Sequence, residues 1–351
     1  MIIQQQEEIL KRNYVKEMKP YVYRKMMKFP EKVARGESVA IIQFQYDYKC
    51  NFRCVHCSIK RFQNKKDVRK MSINDVKNLS KQADELGLAR FVITGGEPLI
   101  FKDFDQLVSA IDPHKFYINC DTNGWFLDRL KVKHLKSIGV DRIQLSIDSL
   151  DRKEHDDFRM AEGSHERAMK AVDFCLQEGM NIFIQTVVSK QRLYTQEFVE
   201  FIKYFNKKNV GVFVSFAKPV GSWQGNFDVL INDNDLMYFE NALQSRYKVF
   251  SHLTPSYGSK GGCVASTNIL SINETGDVLP CIYFPVSIGN IFDESLKDIL
   301  ERAVRLKPFK TDICPMAVKS DFIEKYLVKT YNKDLPVDYR EIFSEEDFIN
   351  G

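Results

Sequence analysis

Cys50, Cys54 and Cys57 stand within YKCNFRCVHCSI in a CxxxCxxC spacing, directly after an apolar, β-rich run. One loop can therefore bring three thiolates to a common point. A closed structural zinc site needs four ligands, whereas three cysteines on a four-iron cluster leave one iron free for an exchangeable ligand. A zinc knuckle that takes His56 as its fourth ligand is the competing reading of this spacing.

The compartment bears on the choice. The first twenty residues mix glutamates and lysines where a secretory signal needs an uninterrupted apolar stretch, and no run of eighteen apolar residues follows. A cytoplasmic protein without membrane association is expected. Eight cysteines there read first as metal ligands and only then as disulfides. Lysine plus arginine number 51 against 47 aspartate plus glutamate, too even a balance to point to nucleic acid as a partner. KRFQNKKDVRK (60–70) reads as a solvated loop.

Further chemistry-bearing residues fall where other apolar runs end. Thr94-Gly95-Gly96-Glu97-Pro98 pairs two glycines, which let backbone approach closely, with a carboxylate able to accept from an ammonium. Asp121-Thr122-Asn123-Gly124 and Ser146-Ile147-Asp148-Ser149 close two more runs. Ser146 and Asp148 share one face of an extended segment, and Asp121 lies on the inner face if Thr122 points outward, with Gln185 a weaker substrate contact. Cys120 then faces outward, and Cys175 shares a helical face with Ala168 and Val172, so both are expected to be core thiols.

The elements that position these residues alternate. Strand-like runs at 39–46, 90–96, 115–122, 141–148, 181–188 and 211–218 are near-continuously apolar, as strands buried on both faces are, and amphipathic helical stretches separate them. In one such stretch, SINDVKNLSKQADELG, Ser72 can cap the helix and Gly87 can stop it. The expected fold is α/β: a partial (β/α)6 barrel whose reactive face lies at the carboxyl ends of the strands, with a small C-terminal cluster-binding domain. Residues 1–38 read as a helical cap, 39–250 as the barrel, 251–318 as a turn-rich segment carrying Cys263, Cys281 and Cys314, and 319–351 as a polar helical tail.

CxxxCxxC at the end of the first strand, followed one βα unit later by GGEP, resembles the radical S-adenosylmethionine superfamily over about residues 39–220. The resemblance implies that Cys50, Cys54 and Cys57 hold a [4Fe-4S] cluster whose free iron chelates S-adenosylmethionine. It places His56 near the adenine, Gly95, Gly96, Glu97, Pro98 and Asn123 around the cofactor, and Ser146 and Asp148 on its ribose. Cys263, with Gly276 and Cys281 after it, resembles the opening of SPASM and Twitch domains, which implies a probable auxiliary [4Fe-4S] cluster on Cys263, Cys281 and Cys314. The full SPASM pattern has seven cysteines, and Ala317 stands where the shorter type often places one. The fourth position is thus left to another group, such as Asp312. Buried structural thiols or a zinc site are the competing reading there.

Family chemistry implies reductive cleavage to a 5'-deoxyadenosyl radical that abstracts hydrogen from an inert C–H bond, with Asp121 a candidate catalytic contact and flavodoxin or ferredoxin as electron donor. The substrate expected is a small polar metabolite such as a sugar, amino sugar or nucleotide, with a net oxidation one outcome. A peptide-modifying maturase is the first alternative, and a non-catalytic iron-sulfur or zinc protein the second.

Overall fold

The computed structural model describes residues 12–62, 68–254, 262–318 and 321–349; residues 63–67 of the expected solvated loop and the SYGSKG turn lie outside them. Strands β1 (Ile41–Asp47), β2 (Arg90–Gly95), β3 (Tyr117–Thr122), β4 (Arg142–Ser146), β5 (Asn181–Val188) and β6 (Gly211–Phe216) pair in parallel in sequence order. The helices are α1 (Pro20–Met27), α2 (Phe29–Ala34), α3 (Ile73–Glu85), α4 (Phe104–Ile111), α5 (Arg129–Ser137), α6 (Arg152–Arg159), α7 (Ser164–Gln177), α8 (Lys190–Leu193), α9 (Gln196–Lys207), α10 (Asp233–Tyr238) and α11 (Leu296–Ala303). This alternation of βα units builds the partial barrel.

Local chemistry sets the boundaries. Ser72 and Asp75 form a capping box at the start of α3, Val76, Leu79 and Ala83 bury one of its faces, and Gly87 at φ +69° follows its end. Along β5 burial alternates strictly, so Ile182, Ile184, Thr186 and Val188 face the helices while Asn181, Phe183, Gln185 and Val187 face inward. Cys120 and Cys175 are both buried in the main core.

Two expectations change here. The strands are not apolar on both faces: Arg90, Asn119, Asp121, Arg142, Gln144 and Gln185 line a cavity of about 1080 Å³, because the barrel encloses a space instead of a packed layer. Among the described residues the sheet also has nine strands. β7 (Val249–Ser251) adds to β6, and β8 (Ile269–Asn273), from the turn-rich segment, pairs in parallel with β1 before turning antiparallel into β9 (Val278–Leu279).

At the amino ends of the strands, Val15, Val22, Met26 and Phe29 bury against Ala89 and Tyr117, and Lys19 pairs with Asp141. A second small sheet joins β10 (Val286–Ser287) to β11 (Val337–Asp338). The tail expected as a polar helix instead packs Phe322, Tyr326 and Phe343 against one another and with Phe284 and Phe309. Its aromatic residues, spaced irregularly, make short helical turns around a core rather than one amphipathic helix.

Candidate active site

The loop after β1 is held from three sides. The loop after β2 meets it backbone to backbone, with Gly96 N donating to Asp47 O at 2.9 Å and Glu97 N to Lys49 O at 2.8 Å. A Cβ on Gly96 would stand 1.8 Å from Lys49 O, so the second glycine of GGEP is required by the cysteine loop itself. From beyond β6, Ser222 N donates to Cys57 O at 2.9 Å, and Gly221 (φ +61°) would place a Cβ 2.1 Å from that same oxygen. From the β8–β9 hairpin, Glu274 Oε2 accepts from Tyr48 N at 3.1 Å while its other oxygen pairs with Lys70.

So held, Cys50, Cys54 and Cys57 all line the cavity as free thiols. Burial pushes the Cys50 thiol up to about 12, so the positive charge of bound iron is what would hold it as a thiolate. Among the described residues no three His, Cys, Asp or Glu side chains converge closely enough for a single metal ion. A cluster, several ångströms across, is bound by thiolates set farther apart than the ligands of one ion. His56 stacks on Phe158 with ring centroids 4.3 Å apart, faces Trp223 and lines the cavity, and its buried Nδ1 has no partner. Burial lowers its imidazole to about 3, so it is a neutral ring with an unsatisfied nitrogen, suited to an adenine edge. Three thiols without a fourth and this orphaned nitrogen fit a cluster with one open iron and an adenosine-bearing ligand.

The expected cofactor contacts divide. Gly95, Gly96, Glu97, Asn123 and Ser146 line the cavity. Glu97 is buried and accepts from Thr122 Oγ1 at 2.6 Å, Asn123 N at 2.7 Å and Leu99 N at 3.1 Å, and burial raises its carboxyl to about 7. Asn123 Nδ2 donates to Asn51 Oδ1 inside the cysteine loop. Pro98 and Asp148 do not line the cavity. Pro98 opens a short 3-10 turn capped by Glu97. Asp148, beyond the end of β4, accepts from Arg159 Nε at 2.7 Å and Val187 N at 3.0 Å; although burial opposes its ionisation, the Arg159 guanidinium holds it well below the usual carboxylate range. It is engaged by protein donors where a ribose contact was expected.

Strand register orders the lumen in layers. Arg142 lies level with Asn119 and Asn181, Gln144 with Asp121 and Phe183, and Ser146 with Gln185. Asp121 lines the cavity, its Oδ1 lacks a partner, and burial raises its carboxyl to about 7. It can therefore hold or release a proton near neutrality.

The second cysteine set is drawn together by backbone pairing. Cys263 N donates to Thr311 O at 2.8 Å, bringing its loop to the segment that carries Cys314, and Ser266 N donates to Pro280 O beside Cys281. Cys281 lines the cavity, whereas Cys263 and Cys314 do not. Lys218, absent from the expected site, is buried, donates to Phe216 O at 2.6 Å and sits 4.0 Å over the Tyr283 ring. Burial lowers its pKa, while the charges of Cys314, Cys281 and Cys263 oppose that shift. Tyr283 N in turn donates to Cys281 Sγ, and its hydroxyl pairs with Ser215. A lysine closing the apolar run GVFVSFAK was a legible sign of Lys218. Arg159 and Tyr283 carried none.

Known proteins share these features. Residues 47–205 match the radical SAM superfamily model, and residues 263–320 match SPASM, an iron-sulfur cluster-binding domain. The AdoMet-dependent heme synthase of Methanosarcina barkeri is 24% identical over 77% of this chain and 84% of its own length. The GTP 3',8-cyclase of Aliarcobacter butzleri is 25% identical over 78% and 92%. Among solved structures, Streptococcus suis SuiB bound to precursor peptide SuiA superposes with a TM-score of 0.61 at 18% identity over 77% of this chain and 66% of that one. Native anSMEcpe with bound AdoMet does so at 0.58 and 19%, over 76% and 81%. Both likenesses establish the fold. The matched domains carry the cluster and S-adenosylmethionine chemistry that the cysteine loops fit, and the chain carries a radical SAM domain followed by a C-terminal SPASM iron-sulfur domain.

Proposed function

We propose that the enzyme abstracts hydrogen from a C–H bond of a small polar metabolite held inside the barrel lumen. Cys50, Cys54 and Cys57 would hold the [4Fe-4S] cluster, and Cys263, Cys281 and Cys314 an auxiliary one. The first supplies, when loaded, the electron that cleaves S-adenosylmethionine to methionine and a 5'-deoxyadenosyl radical. His56, between Phe158 and Trp223, would orient the adenine; Glu97 and Ser146 would meet the cofactor's polar groups. Asp121, the penultimate residue of β3, would take or give a proton at Oδ1.

The observation that carries this reading is continuity: the three thiols, His56, Asp121 and Cys281 all open into one cavity. Walls around a reactive radical limit its encounters with solvent hydrogen donors. Relatives named for heme synthesis and for GTP, which align over most of their own length, support a metabolite substrate.

Anaerobic reconstitution with iron and sulfide, followed by reduction with S-adenosylmethionine present, tests the reading. About eight irons per chain, falling to about four with loss of deoxyadenosine release in the Cys50/Cys54/Cys57 triple alanine variant, is the expected result. Incubation in deuterium-labelled candidate metabolites then identifies the donor by label in deoxyadenosine. Label arriving only from peptides would replace the metabolite with a peptide substrate.

A further inference from the structure

Arg142 opens β4 on the lumen side and is 6% exposed. A guanidinium is charged at any accessible pH, and burying it without an anion is strongly unfavourable. Yet among the described residues Arg142 donates no hydrogen bond and makes no ion pair, and its Nε is buried without a partner. Aromatic rings flank its guanidinium: Tyr117 at 5.6 Å and Phe183 at 4.6 Å.

Neither nearby carboxylate satisfies it. Asp141 feels its charge but is already held by Lys19 Nζ and by Ile118 N at 2.7 Å. Asp121, one layer above, also feels it but lies beyond ion-pairing distance, and burial keeps its carboxyl near 7. Asn119, level with Arg142 on β3, leaves its Oδ1 unpaired. Among the described residues, the floor of the lumen thus presents a planar cation without a matching anion, facing the cavity.

We propose that this floor is an oxyanion subsite: Arg142 binds a carboxylate or phosphate of the substrate through its guanidinium edge. The inference rests on the reading that the substrate occupies the lumen, and it narrows that substrate to an anionic molecule. Phe183, whose ring packs at a tilt against that of Phe250 with centroids 5.8 Å apart, adds an apolar wall beside the cation. Ser146 lies four strand residues above Arg142, so the subsite is roughly 13 Å below the cofactor end of β4. The reacting C–H bond is therefore remote from the oxyanion, and the substrate is extended, with its polar middle beside Gln144 and Asp121.

The test uses the full-length, anaerobically reconstituted protein and three probes: inorganic phosphate, pyrophosphate and glutarate. Saturable thermal stabilisation by at least one is expected, weakened at least tenfold in Arg142→Gln, retained in part in Arg142→Lys, and unchanged in the surface control Lys81→Gln. Phosphate against glutarate tells which oxyanion fits. Equal binding by wild type and Arg142→Gln, or no saturable binding of any probe, overturns the subsite. Should Arg142→Gln not fold, phenylglyoxal labelling of the wild type decides. Labelling of Arg142 that the bound anion slows supports the subsite; labelling indifferent to the anion, or no labelling, refutes it. Deoxyadenosine release reports separately on the radical chemistry, so a failure of one reading does not masquerade as a failure of the other.

Discussion

Arg159 Nε lies 2.7 Å from Asp148 Oδ2, and both side chains are almost wholly buried. Arg159 belongs to the end of α6 and Asp148 to the turn after β4. The pair does more than join those two, because Asp148 also accepts from Val187 N on β5 and Arg159 Nη1 reaches within 4.0 Å of Cys54 Sγ. His155 Nδ1 accepts from Asp148 N at 3.1 Å. One ion pair therefore fastens two strand ends and a helix beneath a proposed cluster ligand.

Replacing Asp148 by Asn leaves Arg159 buried without its counter-charge. Loss of one partner of such a pair costs about 3–5 kcal/mol. Denaturant unfolding of Asp148→Asn at pH 7 should show a loss of that order. The folded carboxyl is depressed, so its stabilisation is fully present above the unfolded value, about 3.9, and falls away below it. The difference between the two proteins should shrink as the pH is lowered through 4.

Asp121 shows the opposite sign. Burial raises its carboxyl to about 7, so between about pH 4 and 7 the folded chain retains a proton that the unfolded chain has released. This group makes folding less favourable as pH rises through that window, by at most about 1.4 kcal/mol per unit. In Asp121→Asn that dependence is removed. Unfolding at pH 5 and pH 8 should find the variant gaining on wild type at the higher pH; a constant difference would mean that Asp121 ionises normally.

The motif loops were legible because local rules fix them. CxxxCxxC and GGEP follow strands whose apolar runs are unmistakable, and Ser72 and Gly87 mark their helix by capping chemistry alone. Strand β8 was not legible: ILSIN is five residues long and finds β1 across more than two hundred residues of chain. The polar lumen was hidden for a different reason. Arg90, Arg142 and Gln185 interrupt mostly apolar runs, and only closure of the barrel shows that alternate positions face a cavity. Arg159 and Tyr283 depend on tertiary contacts with no sequence spacing, and Asp148 looked like a ligand contact because its buried partner could not be foreseen.

The glycine contacts predict a selective lesion. Gly96→Ala would drive a methyl group into Lys49 O, and Gly221→Ala into Cys57 O, each displacing the cysteine loop while leaving the barrel core untouched. Each variant should keep its far-ultraviolet circular dichroism yet lose about half its reconstituted iron, from about eight to about four, with deoxyadenosine release abolished. Full iron content in either would show that the loop accommodates the methyl group.

Lys218 offers a test of the second cysteine set that does not depend on turnover. Its buried ammonium donates to Phe216 O and lies over the Tyr283 ring, which is tied through its backbone to Cys281. A fixed positive charge near thiolate-bound iron favours the reduced, more negative state of a cluster, and the local charge is among the factors that set its potential. Lys218→Met, which keeps length and apolar bulk, should shift the auxiliary midpoint potential downward by on the order of tens of millivolts in an EPR-monitored redox titration. Lys218→Arg should restore most of the shift, since it returns the charge. An unchanged potential in Lys218→Met, with the cluster still assembled, would place the lysine too far from the iron to matter and leave it the smaller role of packing against Tyr283.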